Sequence, residues 1–138
     1  MGQYTEEDIK LKFITPAIEK KWDKMKQIRC EYSFTDGRVI VRGNITARGN
    51  KKRADYILSI KPNIPLAIIE AKDDDHNLGD GIQQGIEYAS VLDIPFVYSS
   101  NGRGFLEHDM TTGKERELTL EEFPTPDELW TRFKAAKK

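Results

Sequence analysis

The sequence predicts an α/β fold, a mixed central β-sheet flanked by helices. Three observations carry this. An apolar, β-rich run at 66–72, centred on Ile68 and Ile69, is followed by a helical segment at about 79–92 and a second apolar run at 95–100. Strand, helix, strand in that order needs a crossover connection and gives a parallel pair. A further strand at 54–60 precedes the first across the short turn Lys61-Pro62-Asn63, which makes those two antiparallel neighbours. The third observation is size: 138 residues, 38% of them apolar, suffice for one domain with a real core.

The elements follow in chain order. Thr5 caps a helix over 6–24, with Asp8 at the capping-box position. Ile9, Phe13, Ala17 and either Ile18 or Lys20 keep helical spacing, and Pro16 should kink or split the helix near 13–15. Asp36-Gly37 is a hairpin signal between strands at 30–34 and 38–41. The polar stretch 42–53 reads as loop. After the strands and helix already described, Asn101-Gly102 ends the last strand of the block, and a short hairpin turns at Thr112-Gly113. Residues 1–122 are expected to form the domain. Residues 123–138 read as a linker and the start of a helix leading on to a further region.

Charge narrows the function classes. Lys and Arg total 22 against 23 Asp and Glu, a formal charge of −1, so any electrostatic function must come from placement of the charges. No apolar run approaches the ~20 residues needed to cross a bilayer, and residues 1–12 have no apolar segment of a secretory signal. One cysteine, Cys30, and two histidines cannot build a Cys/His zinc site. A reducing cytoplasm is the expected compartment.

The chemistry concentrates between 54 and 72. Side chains alternate across a strand, so Glu70 and Lys72 share a face at the end of theirs. Antiparallel pairing brings Asp55 beside them. Two carboxylates and an ammonium at one sheet edge suit a hard cation such as Mg²⁺, which prefers oxygen ligands and keeps several waters. The same residues would also serve as rim salt bridges, worth ~0–1 kcal/mol. In the following helix Gln84 and Tyr88 are four apart and share a face. Gly81 and Gly85 lie on the neighbouring ridge, where two glycines imply close approach of another backbone. Arg48, Lys51, Lys52 and Arg53 form a basic cluster just before Asp55, a clamp for phosphates or a solvated loop. Asp73-Asp74-Asp75 reads as a solvated acidic loop facing away from bound nucleic acid.

Asp55, Glu70-Ala71-Lys72 and Gln84-x-x-x-Tyr88 together resemble the PD-(D/E)xK nuclease pattern with its Q-x-x-x-Y extension. Arg53-Ala54-Asp55-Tyr56, Pro65 to Lys72 and Ser99-Ser100-Asn101-Gly102 resemble, more narrowly, the N-terminal endonuclease region of type I restriction enzyme R (HsdR) subunits. Ala54 stands where the pattern's name has proline. The resemblance implies a restriction-endonuclease-like core and a Mg²⁺-dependent endonuclease, with Mn²⁺ as substitute. It implies Asp55, Glu70 and the Ala71 carbonyl as metal ligands and Lys72 as the catalytic lysine. Gln84 and Tyr88 would contact DNA or brace the site. A glutamate of the first helix would approach the metal; Glu6 is the candidate, with Glu7 and Glu19 open. The partners implied are duplex DNA and the methylation and specificity subunits, with ATP used only in a separate motor region. The alternative is a non-catalytic DNA-guiding or subunit-docking module that retains the nuclease fold.

Overall fold

The computed structural model describes residues 2–35, 40–42, 45–47 and 51–137, with 40–42 and 45–47 as backbone only. The chain opens with helix α1 (Glu6–Ile9), whose capping box is complete: Asp8 N–H donates to Thr5 Oγ1 and Thr5 N–H to the Asp8 carboxylate. Pro16 does not end the helical run, but the run changes type at Ile14/Thr15, within the stretch where a kink or split is expected. The proline stands just after a π-helical turn (Lys10–Ile14), where Thr15 N–H donates to the Lys10 carbonyl, and helix α2 (Thr15–Glu19) continues from there. The wider turn accommodates a residue that has no N–H to give. The helical run therefore ends at Glu19 and not at 24.

The strands are β1 (Ile28–Thr35), β2 (Ile40–Arg42), β3 (Ile45–Ala47), β4 (Lys51–Lys61) and β5 (Ile64–Ala71). Helix α3 (Ile82–Leu92) leads to β6 (Phe96–Ser100), β7 (Phe105–Asp109) and β8 (Glu115–Leu118). A six-stranded sheet has the order β1-β4-β5-β6-β7-β8, and β2 pairs β3 separately. As the spacing predicts, β4 and β5 are antiparallel, β5 and β6 are parallel across α3, and β7 and β8 form a hairpin.

Two expectations fail here for one reason. Among the described residues the hairpin proposed between 30–34 and 38–41 is not seen: β1 pairs antiparallel with β4, with Tyr32 opposite Ala54, and β2 pairs with β3. The Asp36-Gly37 turn itself lies outside the described residues. The stretch 51–53, read as loop, is the first part of β4. In both cases a local turn signal yields to long-range burial, because Tyr32 and Phe34 of β1 pack under α3 only when β1 lies along an extended β4.

The sheet is covered on both faces. On one, Ile9, Ile14, Ile18 and Trp22 meet Tyr56, Leu58, Ile69 and Tyr98. On the other, Tyr88 and Ala89 of α3 meet Ala54, Ile57, Ile68 and Val97. The segment after 122, expected to be a linker, belongs to the first of these cores. Phe123 and Leu129 are fully buried, Trp22 Nε1 donates to the Pro124 carbonyl at 2.9 Å, and helix α4 (Pro126–Ala136) lies on the sheet. The boundary drawn at 122/123 thus runs through packed structure. What holds α4 is Arg132, which is bidentate to buried Glu107 (3.1 Å each), reaches Asp109 at 3.2 Å and stacks over Phe96.

Candidate active site

The register places Tyr56 opposite Ile69, so the next position in each strand, Asp55 and Glu70, face each other where β4 and β5 part. Beyond that point main-chain N–H groups need other acceptors. The two carboxylates provide them reciprocally: Asp55 N–H donates to Glu70 Oε2 at 3.1 Å, and Ala71 N–H donates to Asp55 Oδ2 at 2.8 Å. Each carboxylate is thereby held by one oxygen to the opposite strand. Lys72 follows at the end of β5, its own N–H bonded to the Ser100 carbonyl of β6 at 2.9 Å.

Glu70 is 4% exposed. Burial, and then the neighbouring Asp55 carboxylate, push its pKa from 4.5 up to about 8, against the pull of the Asp55 amide and of Lys72. The glycines of α3 explain the burial. A Cβ on Gly81 would lie 2.9 Å from Ser99 Oγ and 3.3 Å from Glu70 Cβ; one on Gly85 would lie 2.6 Å from Val97 Cγ1 and 3.6 Å from Glu70 Cγ. The close approach that the two glycines imply is therefore that of α3 to β5 and β6, directly over Glu70. Gln84 Nε2 donates to Tyr88 Oη at 2.5 Å, and Tyr88 packs edge-on against Phe34. Gln84 itself is exposed, so the pair runs from the core outwards.

The first helical run contributes a residue that the sequence reading missed. Lys10 is 8% exposed, and its Nζ lies 3.5 Å from Asp55 Oδ1. It also binds the Glu31 carboxylate, and Glu7 at 3.2 Å. Burial works against its charge, but the bonds to Glu31 and Glu7 and the field of Asp55 outweigh this and raise its pKa above the ordinary lysine range. A signal for it exists: Lys10, Ile14 and Ile18 fall at i, i+4, i+8, which puts the lysine on the apolar stripe. Glu6, the expected metal glutamate, is exposed in the first turn of α1. No group of three or more His, Cys, Asp or Glu placed to hold a metal occurs among the described residues, so Glu6 does not complete such a set with Asp55 and Glu70.

Of the basic cluster, Arg48 lies outside the described residues. Lys51, Lys52 and Arg53 lie on β4, with Arg53 exposed and 3.4 Å from the Glu31 carboxylate. The acidic loop has a structural use: Asp74 accepts from Gln3 and Tyr4 N–H at 2.9–3.0 Å and so straps the N-terminal segment down.

The donor set at the site is oxygen only, two carboxylates anchored by one oxygen each, with the Ala71 carbonyl next in the chain. That chemistry fits a hard divalent cation, which would take its remaining ligands from water or phosphate.

Six mixed strands, helices on both faces, and carboxylates with a lysine at the splayed end of an antiparallel pair define a restriction-endonuclease-like α/β domain. Residues 18–124 match the family described as type I restriction enzyme R protein N terminus (HSDR_N). The chain is 49% identical, over 96% of its length, to the type I restriction enzyme EcoAI endonuclease subunit of Escherichia coli, of which it spans 17%. It also superposes with a TM-score of 0.82 on a fragment structure of an HsdR subunit from Vibrio vulnificus YJ016, at 40% identity, covering 99% of this chain and 26% of that one. The chain belongs to the family of type I restriction enzyme R subunit N-terminal domains.

Proposed function

We propose that this domain is the Mg²⁺-dependent cleavage module of a type I restriction enzyme R subunit, hydrolysing phosphodiester bonds in duplex DNA. The observation that carries the reading is the reciprocal clamp between Asp55 and Glu70, with Lys72 beyond it. It fixes two acidic oxygen donors on rigid strands, as a metal-dependent site needs. Asp55, Glu70 and the Ala71 carbonyl would hold the ion, with Mn²⁺ as a substitute for Mg²⁺. When bound, the ion supplies charge neutralisation at the phosphate and a more acidic water.

The chain's own residues divide the remaining work. Lys72 presents an ammonium beside the carboxylates, where it can orient the attacking water or steady the charge that develops on the phosphate. Gln84 lies on the exposed side of α3, with Tyr88 bracing it from the core. Lys51, Lys52 and Arg53 lead away along β4. At ~3.3 Å per residue, Lys51 stands roughly 13 Å from Asp55, a reach suited to neighbouring phosphates of one strand. Sequence choice and ATP-driven movement would come from the methylation and specificity subunits and from a motor region outside this chain. No described helix is long and apolar enough to cross a membrane. The reducing cytoplasm expected from the lone cysteine is the compartment proposed for the activity.

The test is calorimetric titration of Mn²⁺ into the wild type and Asp55→Ala. Binding by the wild type and none by the variant is expected. Identical heats would remove the metal site, and with it the proposed chemistry.

A further inference from the structure

Lys10 is the side chain that the cleavage reading leaves unused. It is nearly buried and comes from a π-helical turn on the opposite face of the sheet from α3. Its position is braced at several points. The Lys10 carbonyl accepts from Thr15 N–H and, at 3.2 Å, from Tyr56 Oη, and Thr15 Oγ1 bonds the same Tyr56 hydroxyl at 2.7 Å. Its ammonium ends on Asp55 Oδ1, which is the oxygen left over when Oδ2 accepts from Ala71. On the far side it binds Glu31, a non-glycine residue held at φ 54° in the left-handed region. Backbone strain of this kind persists only where the surroundings over-determine it, and such positions cluster at functional sites. Arg53 holds the other oxygen of Glu31 at 3.4 Å.

A divalent ion seated between Asp55 and Glu70 would therefore lie against a fixed positive charge on the very carboxylate that is to bind it. We propose that Lys10 is a positioning residue of the metal site, an internal cation that orients Asp55 through its free oxygen and keeps the site's intrinsic affinity for a divalent ion low. This rests on the metal reading above and deepens it. The carboxylates of Glu7, Glu31 and Asp55 share the Lys10 ammonium, Arg53 also lies against Glu31, and Lys72 pulls on Glu70, so the charge of Asp55 is in large part compensated before a metal arrives. The phosphate of bound DNA supplies the missing charge. Ion and substrate then assemble together, and the domain does not carry a tightly bound metal in the absence of DNA.

The experiment titrates Mn²⁺ into the 138-residue chain by calorimetry, for wild type, Lys10→Met, Lys10→Gln and Lys10→Arg. Thermal unfolding is followed in EDTA and in Mn²⁺. Removing the charge should tighten Mn²⁺ binding by about tenfold or more, while Lys10→Arg stays close to wild type. The neutral variants should unfold at lower temperature in EDTA, where three carboxylates lose a shared cation, and regain stability with Mn²⁺. A lysine with only a structural role would lower stability in EDTA as well, but with weaker metal binding and no recovery in Mn²⁺. Lys10→Gln retains a hydrogen bond to Glu31 and serves if Lys10→Met does not fold. Uptake by wild type with unchanged or weaker uptake by Lys10→Gln overturns this proposal alone. No uptake by either protein overturns the metal reading as well.

Discussion

Replacing Glu70 by Gln should make the protein more stable, by a margin that is small near pH 5 and grows until about pH 8. Glu70 is 4% exposed, and burial followed by the Asp55 carboxylate raises its pKa from 4.5 to about 8. Between those values the folded chain keeps a proton that the unfolded chain has released. The folded state binds more protons, so stability falls as pH rises across that window and levels off above about 8. At about 1.4 kcal/mol per tenfold in proton affinity, the gap sets a ceiling of roughly 5 kcal/mol. Relaxation around the ionised group lowers this to about 2–3 kcal/mol. The side-chain amide that Glu70→Gln introduces would still accept from Asp55 N–H while carrying no charge. Thermal unfolding of both proteins in EDTA from pH 5 to pH 9 reads the effect. The two should nearly coincide at pH 5 and diverge with rising pH, by about 8–12 °C at pH 9 for a domain of this size. Titrations of groups that do not interact with Glu70 cancel in the difference. A gap between the two proteins that does not change with pH would refute the placement of Glu70 as a buried, proton-holding carboxylate.

Three further outcomes follow from contacts already described. Gly85→Ala puts a Cβ 2.6 Å from Val97 Cγ1, so overpacking of about 1–3 kcal/mol should exceed the ~1 kcal/mol gain in helix propensity, seen as a lower urea midpoint. Arg132→Met removes the bidentate partner of Glu107, which is 2% exposed, but leaves Arg116 and the Tyr98 hydroxyl on it; a loss of about 1.5–3 kcal/mol is expected, measured by chemical unfolding, with α4 losing amide protection first. Within an intact restriction complex, Lys72→Ala should abolish DNA cleavage and leave ATP hydrolysis unchanged; cleavage that survives the substitution removes the role assigned to Lys72.

The legible part of this protein is the part governed by short sequence separations. The turn at 62–63 and the crossover through α3 set the β4–β5–β6 order, and with it the meeting of Asp55 and Glu70. The paired glycines in α3 announce a close approach that the structure shows at Glu70 itself. What the sequence conceals is long-range. Asp36-Gly37 favours a local hairpin, yet β1 lies against β4 because Tyr32 and Phe34 gain a place beneath Tyr88 there. The capping box at Thr125 announces a helix, but nothing local says that Phe123 and Leu129 enter the same core as Trp22. Lys10 is concealed because charge ordinarily marks the solvated face. Only its coincidence with the stripe of Ile14 and Ile18 betrays it.

The reciprocal clamp also explains why an Asp and a Glu occupy these positions in this order. Asp55 has a short reach, enough for its carboxylate to take the N–H of Ala71, the residue after the one facing it. Glu70 has one more methylene and bends back to the N–H of Asp55 itself. Each bond gives an acceptor to a main-chain N–H where ladder pairing is missing, past Tyr56–Ile69 on the β5 side and at Glu31–Asp55 on the β1 side, so main-chain demand itself helps set the carboxylates in place. A site positioned in this way is preorganised. Its geometry follows from where two strands diverge, and strands hold geometry better than loops do. Lys10 reaches Asp55 from the face opposite α3, beside the point where the β4–β5 pairing ends. The cation that restrains the site and the carboxylates that would hold the metal thus meet at one place, the end of the β4–β5 ladder after Tyr56 and Ile69.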